Sequence, residues 1–197
     1  MHLIKLYKTK APASLLLLLL FCLSACNKTE RNVATVQKYF DLNGYFETEI
    51  RRLSADTTRL KKTVAIDGSK ETQNLLTKTV NWEKELAVFT ASDLNKPAFF
   101  DAYRIDSIAK GDTNIITYTA LRTNLRTQYL ALHALKRQAI ERVTVKNQVS
   151  NPLYTLQETL IYQPHLGYSI TSKQKVGMLV ETSFDIYTAF APVPVGL

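Results

Sequence analysis

The chain has 197 residues with 25 basic and 17 acidic side chains, a formal charge of +8, and only two cysteines and three histidines. A positive balance spread along a chain serves solubility, whereas a nucleic-acid interface gathers its basic residues on one face. The nearest approach to a cluster, Arg51-Arg52 with Arg59, Lys61 and Lys62, has Glu47, Glu49 and Asp56 as neighbours, so nucleic acid is set aside as a partner.

Residues 1–25 read as a signal peptide. Lys5, Lys8 and Lys10 precede the nine apolar residues Leu15 to Leu23, and no acidic residue occurs before Glu30. That run is too short for a hydrocarbon core, which needs about 20 apolar residues. Leu23-Ser24-Ala25-Cys26 resembles the lipobox of bacterial lipoproteins: an aliphatic residue, two small residues and a cysteine. The resemblance implies that Cys26 receives a diacylglyceryl group and becomes the first residue of the mature chain. Two or three acyl chains, at about 0.8 kcal/mol per buried methylene, hold a protein on a bilayer. Asn27 stands where aspartate would favour inner-membrane retention in Gram-negative envelopes, so the resemblance further implies an outer-membrane, lipid-anchored location.

Removal of the signal lowers the basic count to 22 and the net charge to +5, and it discards Cys22. With Cys26 consumed as a thioether, the exported domain has neither a disulfide nor a free thiol and must stand on its core. A chain near 150 residues buries about 68–70% of its unfolded surface, which suffices.

Residues 26–32 are expected to be the lipidated N-terminus and a polar tether. Val33 to Leu53 has helical spacing: Val36, Tyr39, Leu42, Phe46, Ile50 and Leu53 form one apolar stripe. Glu47 and Arg51 stand four apart in the favourable order, and Gly44 costs about 1 kcal/mol relative to alanine. Thr63 to Ile66 is β-prone and meets Asp67-Gly68, a hairpin signal, although Ser69 to Leu75 makes a poor returning strand. A second short helix is predicted from Asn81, with an Asn cap, Glu83 and Glu85 in its first turn and Trp82, Leu86 and Phe89 on one face. Asn95-Lys96-Pro97 ends it.

The remainder reads as an antiparallel meander with strands at Phe99–Ile105, Ile115–Ala120, Leu125–Ala134, Ala139–Val149, Leu153–Tyr162, Tyr168–Val176 and Met178–Tyr187. Turns are placed at Lys110-Gly111-Asp112, Lys136-Arg137-Gln138, Asn151-Pro152 and Gln163-Pro164. Leu125 to Leu135 would also suit a helix. Residues 191–197, rich in proline, form a tail. The expected architecture is a single α+β domain over 33–190, with the N-terminal amphipathic helix and the second short helix packed on a curved antiparallel meander sheet.

Chemistry is sparse. His133 and His165 are the histidines of the mature chain, which excludes a Cys/His zinc site and an HExxH helix. There is no GxSxG elbow and no glycine-rich phosphate loop. Glu83 with Glu85 and Asp101 with Asp106 do not present an acid/base pair. Tyr103, Tyr118, Tyr129, Tyr154, Tyr162 and Tyr168 could line a groove, but half-buried sheet tyrosines that complete a core and wet their hydroxyls are the simpler account.

The residues therefore assign no catalytic, cofactor or metal site; the one site residue is Cys26, the lipidation position. The expected function is a non-enzymatic, membrane-anchored envelope lipoprotein that binds a protein partner or envelope component. The alternative is a carrier or sensor of a small apolar or lipid ligand in a curved-sheet groove, for which an apolar cavity of about 300 Å³ or more is the mark.

Overall fold

Strand pairing organises the structure, a computed structural model that describes residues 38–135 and 139–191. The signal peptide, Cys26, the tether, positions 33–37 of the predicted first helix, the turn at 136–138 and the tail from 192 lie outside these residues.

Nine strands form one sheet: β1 Arg59–Ile66, β2 Ser69–Leu76, β3 Tyr103–Lys110, β4 Thr113–Ala120, β5 Thr127–Leu135, β6 Ile140–Asn151, β7 Tyr154–Gln163, β8 Gly167–Val176 and β9 Thr182–Phe190. Their order is β2-β1-β9-β8-β7-β6-β5-β4-β3, and every pair is antiparallel. With a few helices, this is a sheet-dominated α+β fold.

Register fixes which side chains share a face. Leu130 pairs with Tyr118 and Val145, Val145 with Leu160, Leu160 with Ile170, and Ile170 with Ile186. This row, together with Val143, Tyr162 and Tyr168, defines the inner face; all belong to the buried core except Ile186, which is half-buried and packs against it. Leu130, Leu132 and Ala134 are buried on the inner face, and Ala131 is buried between the partly exposed Tyr129 and His133 on the other, so apolar residues fall on both faces and the sequence could pass for a helix.

The first helix, α1, is Leu42–Ala55; of the predicted Val33 to Leu53, the described residues Lys38 to Asp41 lie before it and outside the helix. Asp41 caps it by accepting a hydrogen bond from the Gly44 amide at 2.9 Å. Gly44 is explained by the same cap, since a Cβ there would run into the Asp41 carboxylate. Tyr39, Leu42, Phe46 and Leu53 are buried as the stripe requires. The Phe46 ring meets Tyr162 edge-on at 5.1 Å and Phe89 at 5.0 Å.

The second helix begins as predicted, with Asn81 Oδ1 accepting from the Lys84 amide at 3.0 Å. It is two single turns, α2 Trp82–Glu85 and α3 Ala87–Thr90, separated at Leu86 by a backbone at φ −96°, ψ 3°. The predicted strand at Phe99–Ile105 starts later, at Tyr103. Pro97 opens a 3₁₀ turn over Pro97–Phe99, which takes Phe99 out of extended geometry.

Antiparallel pairing sets the two ends of the sheet. At one end lie the β1–β2 turn at Asp67-Gly68, the β6–β7 turn at Pro152-Leu153, the β8–β9 turn from Gly177 to Glu181 and the start of β3. The β3–β4 and β7–β8 turns, the start of β1 and the end of β9 lie at the other. Tyr39 stacks edge-on with Tyr103 at 5.6 Å and donates its hydroxyl to the carbonyls of Phe99 and Phe100. The chain thus enters at the Met178 end, and α1 runs from there toward Pro164, whose carbonyl accepts from Arg52 at 2.7 Å.

Candidate functional site

Three carboxylates on or against the inner face are held by cations and neutral donors. Tyr162 and Tyr168 are direct cross-strand partners on β7 and β8. The Tyr162 hydroxyl donates to Glu49 Oε2 at 2.6 Å, and Arg52 Nη2 donates to the same oxygen at 2.7 Å. Burial, followed by the Glu49 charge, holds the Tyr162 phenol well above its ordinary range. The hydrogen bond that Arg52 donates to Glu49 likewise stabilises its guanidinium. Tyr168 repeats the arrangement: its hydroxyl donates to Glu85, which also pairs with Lys62 of β1, and burial is again the main cause of its raised pKa. Glu158 accepts from Arg126 Nη2 at 2.7 Å and from Asn147 Nδ2 at 3.2 Å; Asn147, itself buried, also donates to Ser92 Oγ at 3.0 Å.

These carboxylates tie helical and loop elements to the sheet, because each accepts from at least one group distant in sequence: Tyr162 for Glu49, Lys62 and Tyr168 for Glu85, Arg126 for Glu158. Glu49→Ala is expected to cost about 3 kcal/mol, since it removes the acceptor of the buried Tyr162 hydroxyl and leaves the Arg52 charge with the Pro164 carbonyl but no carboxylate. In a Tyr162→Phe background the same change should cost at least about 1 kcal/mol less. Urea denaturation of the four proteins measures this; strict additivity would show that the two side chains act independently.

The tyrosines belong to the core rather than to a ligand pocket at Tyr103, Tyr118, Tyr162 and Tyr168, all of them buried. Their hydroxyls are not generally wetted, contrary to expectation. Tyr103 donates to the Thr127 carbonyl at 2.9 Å, and burial pushes its pKa up to about 12. Tyr129 lies on the opposite face of β5 from Leu130, with Lys146 over its ring at 5.7 Å. Tyr154 borders a groove.

That groove, about 380 Å³, occupies the part of the inner face toward the Met178 end. Leu156, Ile170, Ser172, Phe184 and Ile186 form its floor, while Lys84, Glu85 and Val88 of the helical segments and Glu158 edge it. Elsewhere the inner face is filled by Trp82, Leu86, Phe46 and Phe89, all buried. A second cleft, about 430 Å³, lies at the other end of the sheet and brings His133 and His165 together with Glu141, Arg142 and Pro164. Burial, then the Arg142 charge, lowers the His133 pKa. Their shared cleft was invisible in sequence, because it depends on the β5–β6 pairing His133↔Arg142 and on the β7–β8 turn. Glu83 and Glu85 do not form a pair, since Glu85 is engaged by Lys62 and Tyr168. Asp101 meets Lys38, and Asp106 meets Arg104. Among the described residues no group of three or more His, Cys, Asp or Glu could hold a metal ion, and no helix is long and apolar enough to cross a membrane. No protein-family model, curated protein or solved structure matches the chain.

Proposed function

We propose that the protein is an envelope lipoprotein, acylated at Cys26 and anchored in the outer membrane, whose sheet curls about its helices and binds a protein partner in the inner-face groove without catalysis. The observation that carries the binding is the groove itself. It is open, its floor mixes Leu156, Ile170, Phe184 and Ile186 with Ser172 and Gln174, and its edges carry Lys84, Glu85 and Glu158, a mixture suited to a polypeptide segment with both apolar and polar side chains. A carrier of acyl chains calls for an enclosed apolar interior, and here the corresponding volume is taken by Phe46, Trp82, Leu86 and Phe89.

A photo-crosslinking residue at Ser172, on the groove floor, is expected to trap a protein in intact cells. The same residue at Thr171, its neighbour in β8 and on the opposite face, should trap none. A lipid-mass adduct at Ser172 would replace this reading by the carrier reading, and equal adducts at both positions would overturn it. The anchor has its own readout. Cys26→Ser should abolish incorporation of labelled palmitate and release the protein from the membrane fraction; palmitate retained on the variant would refute acylation at Cys26.

A further inference from the structure

We propose that the Met178 end of the sheet rests in the same bilayer that holds Cys26, with the β6–β7 and β8–β9 turns inserted among the lipid headgroups. This rests on the reading of Cys26 as acylated. Leu153, Met178, Leu179 and Val180 are 75%, 95%, 67% and 89% exposed. Single exposed apolar residues are ordinary on a protein surface, but a contiguous group marks a surface with an occupant. These four are contiguous by construction. The Gly177 amide donates to the Leu153 carbonyl at 2.7 Å and so joins the two turns, and the Leu179 amide closes its own turn on the Val176 carbonyl at 3.0 Å.

The path of the chain identifies the occupant as lipid. Lys38 lies beside the start of β3, paired with Asp101 and 4.5 Å above the Phe100 ring, and β3 starts at the end of the sheet that carries Met178. Eleven residues, Asn27 to Gln37, separate Lys38 from Cys26, a span of at most about 40 Å even when fully extended. An anchor so short keeps the apolar turns at high local concentration next to the bilayer. Lys173 and Lys175, both exposed, precede Val176 on β8 and stand where anionic headgroups would meet them. The inner-face groove reaches the same end, because Tyr154, which lines it, is the cross-strand partner of Val176.

The test uses the full-length acylated protein. Cys22 leaves with the signal and Cys26 is a thioether, so Met178→Cys supplies the sole thiol for a polarity-sensitive fluorophore; Lys110→Cys, at the other end of the sheet, is the control. On vesicles of phosphatidylethanolamine and phosphatidylglycerol, a lipid-borne quencher should quench the label at position 178 at least roughly threefold more than that at 110, as expected for side chains about 5–10 Å into the interface. Equal quenching at both positions, with palmitate present and the protein vesicle-bound, overturns this inference alone. A blue shift at 178 that depends on protein concentration and resists lipid quenching overturns it in favour of a second copy of the chain. A protein without palmitate overturns the lipoprotein reading and this inference with it.

Discussion

Raising the pH above 10 should unfold the domain over a narrow interval. In the unfolded chain a phenol loses its proton near pH 10. Tyr162 and Tyr168, the most deeply buried of the perturbed phenols, have pKa values raised far above that, as does Tyr45, and Tyr103 is pushed up to about 12. Below pH 10 both states hold these protons and the stabilisation is complete. Above it the unfolded state releases protons that the native state keeps, so stability falls as pH rises. Each fully perturbed phenol contributes a slope of about 1.4 kcal/mol per pH unit. Tyr162 and Tyr168 together therefore remove on the order of 5 kcal/mol by pH 12, comparable to the whole stability of a modest domain. Tyr45 and Tyr103 act in the same direction with smaller weight because they are less completely screened from solvent. Tyrosinate absorbance and the fluorescence of Trp82, the sole tryptophan and 1% exposed, should change together. Ionisation of every tyrosine in the described domain with Trp82 unchanged would contradict the burial of these hydroxyls.

Gly167→Ala is expected to be the most damaging single methyl addition. Gly167 has φ +134°, and a Cβ there would overlap the backbone carbonyl of Thr188 in β9. The obstacle is main chain within the sheet, so no side chain can swing away, and the loss should be about 4 kcal/mol or more. Gly68 and Gly111 are the controls. Both have positive φ but no neighbour within 4 Å of the added atom, and alanine there should cost only about 1–2 kcal/mol. Chemical denaturation of the three variants decides; a similar loss in all three would show that backbone conformation alone, and not the approach of β8 to β9, requires Gly167.

Elements with their own local signal were legible in the sequence, and those made by pairing were less so. Asp67-Gly68 announces the first hairpin, and Asp67 does take a positive φ of 47°. The strand that returns from it, β2, has exposed residues at nearly every position, so nothing in its pattern distinguishes it from a loop; its partner β1 makes it a strand. Asn81 is readable as a cap because Glu83 and Glu85 follow it in the first turn and Trp82, Leu86 and Phe89 recur at helical spacing, whereas Asp41 sits inside a longer apolar periodicity that extends across the cap it forms. Glu49 was read as polar, yet it lies three residues from Phe46 and four from Leu53 on the buried side. What stabilises it there is Tyr162, a residue 113 positions later, and no local window contains both. The groove follows the same logic. Its floor residues were recognisable as strand interior, but whether a helix covers them depends on how far α2 and α3 extend, which their sequence alone does not fix.

The position of β9 has a consequence for the order in which the fold can form. It is the last of the described strands and yet stands inside the sheet, between β1 and β8. All other neighbours are consecutive in sequence, so most of the sheet can assemble by short loop closures as the polypeptide emerges. The first hairpin cannot join until residues 182–190 arrive, and until then it waits with one edge of β1 unpaired. Loss of residues 182–197 would therefore not trim an edge; it would sever the first hairpin from the rest of the sheet and take Lys62 away from Glu85.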